Sequence, residues 1–333
     1  MASEGSRLPE TSGRNALPVI DVSRLNSREL SDRLALAAEL GRACRGIGFF
    51  YVVNHGISES QRDSLFAAAK TFFAQPVSGK DKLSIKRSPH NRGYVALEAE
   101  RLDESAVHAD YKEAFNIGLE LAPDDPEVLA GKPFRGVNLW PTLPGWRETV
   151  LSYYDACWAL GRRIHRGFAL DLGVAEDFFE DKLDAPLATL RMLHYPPQPG
   201  RGHAAPDSGA GAHTDYGNLT ILATDAVAGL QVRARSGAWI DAPHIPGAFV
   251  CNIGDCLMRW TNDVYLSTPH RVAIPVRDRY SAAFFLDPNP DARVEVLESC
   301  LGPGASAKYP PTTGADYIRE RLTATYSHLK DGV

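Results

Sequence analysis

The chain has 333 residues, 44% of them hydrophobic and 23% charged, with a formal net charge of −5. Such proportions belong to a globular protein, and the acidic balance argues against a nucleic-acid scaffold. No apolar run is long enough to cross a bilayer. The polar segment Met1 to Asn15 lacks the apolar core of a secretion signal. The five cysteines are scattered and odd in number, which suggests reduced thiols. A cytoplasmic protein with a frayed N-terminus is expected.

Leu17-Pro-Val-Ile-Asp21 reads as a first strand. Ser27 to Arg45 is helical in pattern, with an apolar stripe of Leu30, Leu34, Leu36, Ala37 and Leu40. Gly48-Phe-Phe-Tyr-Val-Val-Asn-His-Gly56 is a buried strand ended by a turn, in which His55 is expected to have a turn or structural role. Ser58 is placed to cap a helix running to about Ala74, stopped by Gln75-Pro76. Val77 to Pro89 is basic and loop-like. Pro144 to Gly173 repeats Trp146, Val150, Tyr154, Trp158, Leu160, Ile164 and Leu170 at helical spacing, and a short helix over Ala175 to Leu183 is expected after it.

From Ala188 the pattern turns to strands. In Thr189-Leu-Arg-Met-Leu-His-Tyr195, alternation puts Arg191, Leu193 and Tyr195 on one face. Gln198 to Gly211 reads as a flexible Gly-rich loop. Phe249 to Asp255 contains another strand, with Cys251 and Cys256 in the core, and Trp260 to Asp263 is a turn. Asp316 to Leu329 reads as a C-terminal helix capped by Asp316, with Tyr317, Leu322 and Tyr326 on one face.

The chemistry concentrates in Gly211-Ala-His-Thr-Asp-Tyr-Gly-Asn-Leu-Thr-Ile-Leu222. Read as strand, it points His213 and Asp215 to the same face. His270, in Ser267-Thr-Pro-His-Arg-Val-Ala-Ile274, is the third candidate ligand. Two histidines and a carboxylate on one face of an ion form the facial triad of non-haem Fe(II) oxygenases. Arg279 and Ser281 then share a strand face, and a guanidinium fork beside a hydroxyl suits a carboxylate.

These pieces, in this order and spacing, resemble the 2-oxoglutarate-dependent dioxygenases of the isopenicillin N synthase-like family. Asn91-Arg-Gly-Tyr94, Leu190-Arg-Met-Leu-His-Tyr195 and His213-Thr-Asp-Tyr216 are most similar to the fungal thymine hydroxylase branch. The resemblance implies a mainly β fold with flanking α-helices around a double-stranded β-helix, or jelly roll. It implies Fe(II) on His213, Asp215 and His270, with 2-oxoglutarate and O2 as co-reactants. It implies that Arg279 and Ser281, with Tyr195, bind the cosubstrate. Arg92, Tyr94, Phe115, Ile117 and Arg191 would surround the prime substrate, a small molecule that is oxidised, most simply hydroxylated, with release of succinate and CO2.

The resemblance also divides the chain into a flexible 1–16, an α/β region over 17–120, a linker and spine helix over 121–187, the jelly-roll core over 188–290 and a C-terminal segment over 291–333, all one structural domain. A monomer or weak homodimer with no nucleic-acid or membrane partner is expected. Three other readings stay open at this point. An oxidase like isopenicillin N synthase would use iron and O2 without 2-oxoglutarate, and desaturating, epoxidising or ethylene-forming variants share the motifs. A jelly-roll binding protein without catalysis would need no intact triad.

Overall fold

The computed structural model describes residues 16–103, 106, 108–197 and 208–325. The segment expected to fray, most of the expected Gly-rich loop and the end of the C-terminal helix, with Tyr326, lie outside them. Two sheets carry the fold. The larger has eight strands. In spatial order they are β1 (Val19–Asp21), β2 (Phe49–Val53), β10 (Phe249–Ile253), β7 (Leu219–Thr224), β12 (Arg279–Leu286), β5 (Thr189–Tyr195), β4 (Glu113–Gly118) and β3 (Gly93–Val95). The smaller has four, in the order β6 (Ser208–His213), β11 (His270–Ala273), β8 (Leu230–Arg233) and β9 (Trp239–Asp241). Among these strands β1 alone pairs in parallel, with β2.

The inner strands of the larger sheet are buried on both faces, so apolar residues dominate both. One face meets the smaller sheet: Phe49, Leu193, Tyr195 and Ala283 pack in one cluster with Ala210, Val232 and Val272. The other face carries Leu190, Met192, Ile221, Phe284 and Leu286 against the helices. The two sheets therefore form the jelly-roll layers, and the helices cover the outside of one of them.

The helical layer is α1 (Leu30–Gly46), α2 (Glu59–Phe73) and the long α5 (Trp146–Asp171), with short helices α3 (Val77–Lys80), α4 (Pro126–Leu129) and α6 (Asp255–Trp260). The last helix is α7 (Gly314–Thr325). Val150, Tyr154, Cys157, Leu160, Ile164 and Phe168 make the buried stripe of α5. Each large apolar side chain in it contributes roughly 1.5–3 kcal/mol by leaving water. Gly161 lets α5 sit close on β12, since a Cβ there would stand 2.5 Å from Leu286 Cδ2. Ser58 caps α2 as expected: its Oγ accepts from the Gln61 N–H, and its own N–H donates to Gln61 Oε1.

Several elements differ from the sequence expectation. Leu30 and Leu34 are exposed, because α1 turns Leu36, Ala37 and Leu40 inward. The basic stretch after Pro76 is a chain of short helical turns, and Lys80 within it is buried against Glu113. Over 175–183 the only helix is the turn Glu180–Lys182. At α7 the Asp316 backbone N–H donates to Thr313 Oγ1, so Thr313 is the cap. The end of the Gly-rich stretch, Ser208 to Gly211, is part of strand β6.

Candidate active site

His213 ends β6, and Asp215 lies in the turn that leads to β7. The pair is thus not on one strand as the sequence suggested, yet the turn brings both side chains together. β11 lies antiparallel to β6 with His270 opposite His213. The imidazole and carboxylate donor atoms of His213, Asp215 and His270 all lie within 4.8 Å of one another. Asp215 Oδ1 stands 3.8 Å from His213 Nε2 and 3.7 Å from His270 Nε2.

The surroundings fix which atoms are free. His213 Nδ1–H donates to the Gly211 carbonyl at 2.7 Å, and His270 Nδ1–H donates to that of Thr268 at 3.2 Å. Each ring is thereby held in the tautomer that leaves an Nε2 lone pair for a metal. Asp215 Oδ2 accepts from Thr220 Oγ1 at 2.5 Å and from Asn252 Nδ2 at 2.8 Å, leaving Oδ1 toward the histidines. Burial pushes the Asp215 carboxyl up, but the two imidazoles and these two hydrogen bonds outweigh it, and its pKa is lowered. Burial, with His270 beside it, lowers His213 to about 4, so its ring is neutral near neutral pH. Two imidazoles presenting Nε2 and a carboxylate presenting Oδ1 are a donor set that fits Fe(II).

The triad opens into a cavity of about 180 Å³ between the two sheets. Arg279 and Ser281 reach the same cavity from one face of β12. Arg279 is 1% exposed. Its Nε donates to the Val227 carbonyl at 3.3 Å, its Nη1 to Ser281 Oγ at 3.5 Å, and its guanidinium lies 4.9 Å over the Tyr195 ring. Among the described residues no carboxylate pairs with it. Tyr195 faces Arg279 across the β5–β12 ladder. A buried cation with no anion is costly unless one is brought in.

Of the residues expected around the substrate, Arg92 and Arg191 line the cavity. The Arg191 charge is met within the protein by Glu100, which Lys112 approaches at 3.6 Å. Tyr94, Phe115 and Ile117 lie on the opposite face, in the helix-side core. The pleat is the reason: in β4 it is Asn116 that faces the cavity, so its neighbours in sequence point away. The Tyr94 hydroxyl donates to Glu113 Oε2 at 2.6 Å, away from the triad. His55 has the turn role expected of it, with Nε2 donating to the Gly247 carbonyl.

Sequence reading missed Thr220, Asn252, Asn116, Glu100 and Asp287. Asn252 had a signal, a polar residue inside the apolar run Phe249–Ile253. Asp287 follows β12, lines the cavity and is raised to about 7 by burial and by the charge of Asp215. Nothing in sequence distinguishes it from a surface turn residue.

Comparison with known proteins agrees with this geometry. Residues 17–143 match the family of the non-haem dioxygenase in morphine synthesis N-terminal, and residues 186–288 match the 2OG-Fe(II) oxygenase superfamily. The chain is 38% identical over 321 residues to the 2-oxoglutarate-Fe(II) type oxidoreductase hxnY of Emericella nidulans, covering 95% of this chain and 92% of that protein. It is 37% identical to homoarginine-6-hydroxylase 2-ODD-233 of Oryza sativa subsp. japonica, covering 93% and 98%. Among solved structures it is similar to the full-length thymine hydroxylase of Neurospora crassa in complex with alpha-KG and thymine, at a TM-score of 0.83 and 30% identity, covering 93% of this chain and 98% of that one. An iron-type donor triad beside an unpaired arginine, in a chain related along nearly its whole length to such enzymes, has one assignment: the protein belongs to the 2-oxoglutarate- and Fe(II)-dependent oxygenases.

Proposed function

We propose that this oxygenase hydroxylates a C–H bond of a small molecule held in the cavity between the two sheets, consuming 2-oxoglutarate and O2 and releasing succinate and CO2. The observation that carries the reading is the buried, unpaired Arg279 in the same cavity as the triad. His213, Asp215 and His270 would hold iron, which when bound supplies the activation of O2. Arg279 binds the distal carboxylate of 2-oxoglutarate through its fork, and Ser281 donates to the same end. The Tyr195 ring backs the guanidinium and fixes its plane. Arg191, locked by Glu100, forms a rigid part of the substrate wall, and Arg92 forms another part. Leu222, Phe285, Ile318 and Leu322 form the apolar lining that excludes water.

The net charge of −5 supports action on small molecules without nucleic acid. Among the described residues no helix is long and apolar enough to cross a membrane. A monomer or weak homodimer fits a cavity formed within one chain, and the divisions at 17–120 and 188–290 are read as parts of one domain, since their strands share one sheet. Succinate release, screened over a metabolite panel with Fe(II), ascorbate and O2, tests the function. A compound that raises succinate in step with a hydroxylated product supports it. Uptake of O2 without succinate contradicts it.

A further inference from the structure

Two guanidinium groups in the cavity wall lack a carboxylate partner among the described residues, and the cosubstrate accounts for one of them, Arg279. The other is Arg92. It is 3% exposed and lines the cavity. Among the described residues no hydrogen bond or ion pair reaches any of its nitrogens, and its buried Nε has no acceptor. Burial lowers its pKa to about 10; Tyr154 opposes the shift, and Arg135, another cation, adds to it. No carboxylate contributes. Arg191 is the contrast, since Glu100 neutralises it.

The fold makes room for this group at a cost. At Gly118 of β4 a Cβ would stand 1.8 Å from Arg92 Nη2, so glycine there leaves the space the guanidinium fills. Close to it on the same strand, Asn116 is paired with Gly93 and faces the cavity. Its Nδ2 donates to Asn91 Oδ1 at 3.3 Å, and among the described residues its buried Oδ1 has no donor. A cation and an acceptor, both buried and both unpartnered among the described residues, thus line the same cavity. Unmet polar groups of both kinds are sustained when a ligand completes them.

We propose that the prime substrate is a small organic acid whose carboxylate docks on Arg92, with an N–H or O–H of the same molecule donating to Asn116. The proposal rests on the reading above, in which 2-oxoglutarate occupies Arg279. Arg92 offers parallel N–H donors that match a carboxylate in plane. The anchor would orient the substrate from the β3–β4 wall, while the metal triad lies on β6, the turn after it and β11.

The test is calorimetric titration of the anaerobic Fe(II) protein with 2-oxoglutarate already bound. The probes are benzoate, phenylacetate and cyclohexanecarboxylate, each paired with its carboxamide. The carboxylates are expected to bind at least about tenfold more tightly than the amides, the amide being unable to form the charged pair. Arg92→Gln is expected to weaken carboxylate binding by roughly thirtyfold or more, with 2-oxoglutarate affinity unchanged. Arg92→Met is expected to raise the Tm of the ligand-free protein by roughly 2 °C or more, because it removes an unpaired buried charge. Normal 2-oxoglutarate binding with no carboxylate bound, with acids and amides bound alike, or with Arg92→Gln binding as the wild type does, overturns the proposal and leaves the parent reading standing. A fall in Tm, or failure of Arg92→Met to fold, makes Arg92 a structural residue and overturns it too. Failure of 2-oxoglutarate itself to bind wild-type Fe(II) protein overturns the parent reading, and this proposal with it.

Discussion

Replacing Asn252 by leucine, or Thr220 by valine, removes one of the two donors that turn Asp215 Oδ1 toward the histidines. Neither residue is a ligand, so the fold and the triad remain. Fe(II) affinity is expected to fall by roughly 10–100-fold in each, measured by competition with a chelator; unchanged affinity would show that the Asp215 rotamer needs no support. Arg279→Ala is expected to weaken 2-oxoglutarate by about 2–5 kcal/mol while Fe(II) binding stays near normal, and Ser281→Ala by about 1.5 kcal/mol, both read by calorimetry. Loss of Fe(II) binding in Arg279→Ala would move that residue into the metal site. The triad was legible at this scale because its residue types have few other uses in combination. Phe115 and Ile117 were not placed correctly, because a residue's face depends on the phase of the pleat, which one strand's sequence leaves open when both faces are buried. Arg191 is legible as a cavity residue from alternation in β5, but its partner Glu100 sits in an irregular segment far away in sequence.

At the scale of elements, the described residues between β3 and β4 are tied over the cavity by buried charges. Lys112 donates to Asp110 at 2.5 Å, and Asp110 Oδ1 accepts from the Gly211 N–H at 2.9 Å. Asp110 Oδ2 also accepts from the Leu102 N–H. These contacts hold the segment against β6, two residues before His213. Among the described residues, Asp110→Ala leaves Lys112 with the longer contact to Glu100, and losing one partner of a buried pair costs about 3–5 kcal/mol. The expected result is faster cleavage of that segment in limited proteolysis, together with weaker Fe(II) binding. Wild-type cleavage rates would show that the segment is held by other means. None of this was legible from sequence, since ion pairs in irregular chain have no period. The start of β6 was hidden for a different reason: Ser208-Gly-Ala-Gly-Ala lacks the branched and aromatic residues that mark strands, and it pairs because β11 lies beside it. The α5 stripe and the Ser58 cap were legible, because helical period and cap chemistry are local.

For the whole molecule, burial couples stability to pH. His165 on α5 is fully enclosed, and burial lowers it to about 4, against the opposing effect of its bond to the Gly161 carbonyl. The unfolded chain takes up this proton near pH 6.5, the folded one only near 4. Stability from this group is therefore complete above about 6.5 and is lost as pH falls toward 4, by on the order of 3 kcal/mol. Urea unfolding at pH 7.5 and 5.0 is expected to show the loss, and His165→Leu to show a smaller one; an equal slope in both would assign the loss to other groups. Activity depends on one site holding iron and 2-oxoglutarate together. The most direct measurement is an anaerobic titration of the Fe(II) protein with 2-oxoglutarate, following the weak visible charge-transfer absorption of the iron–keto-acid complex. A saturable band is expected in the wild type, a band displaced to much higher 2-oxoglutarate concentration in Arg279→Ala, and none in His213→Ala, Asp215→Ala or His270→Ala. A wild-type protein without the band, or a triad variant that keeps it, would contradict a shared iron and 2-oxoglutarate site.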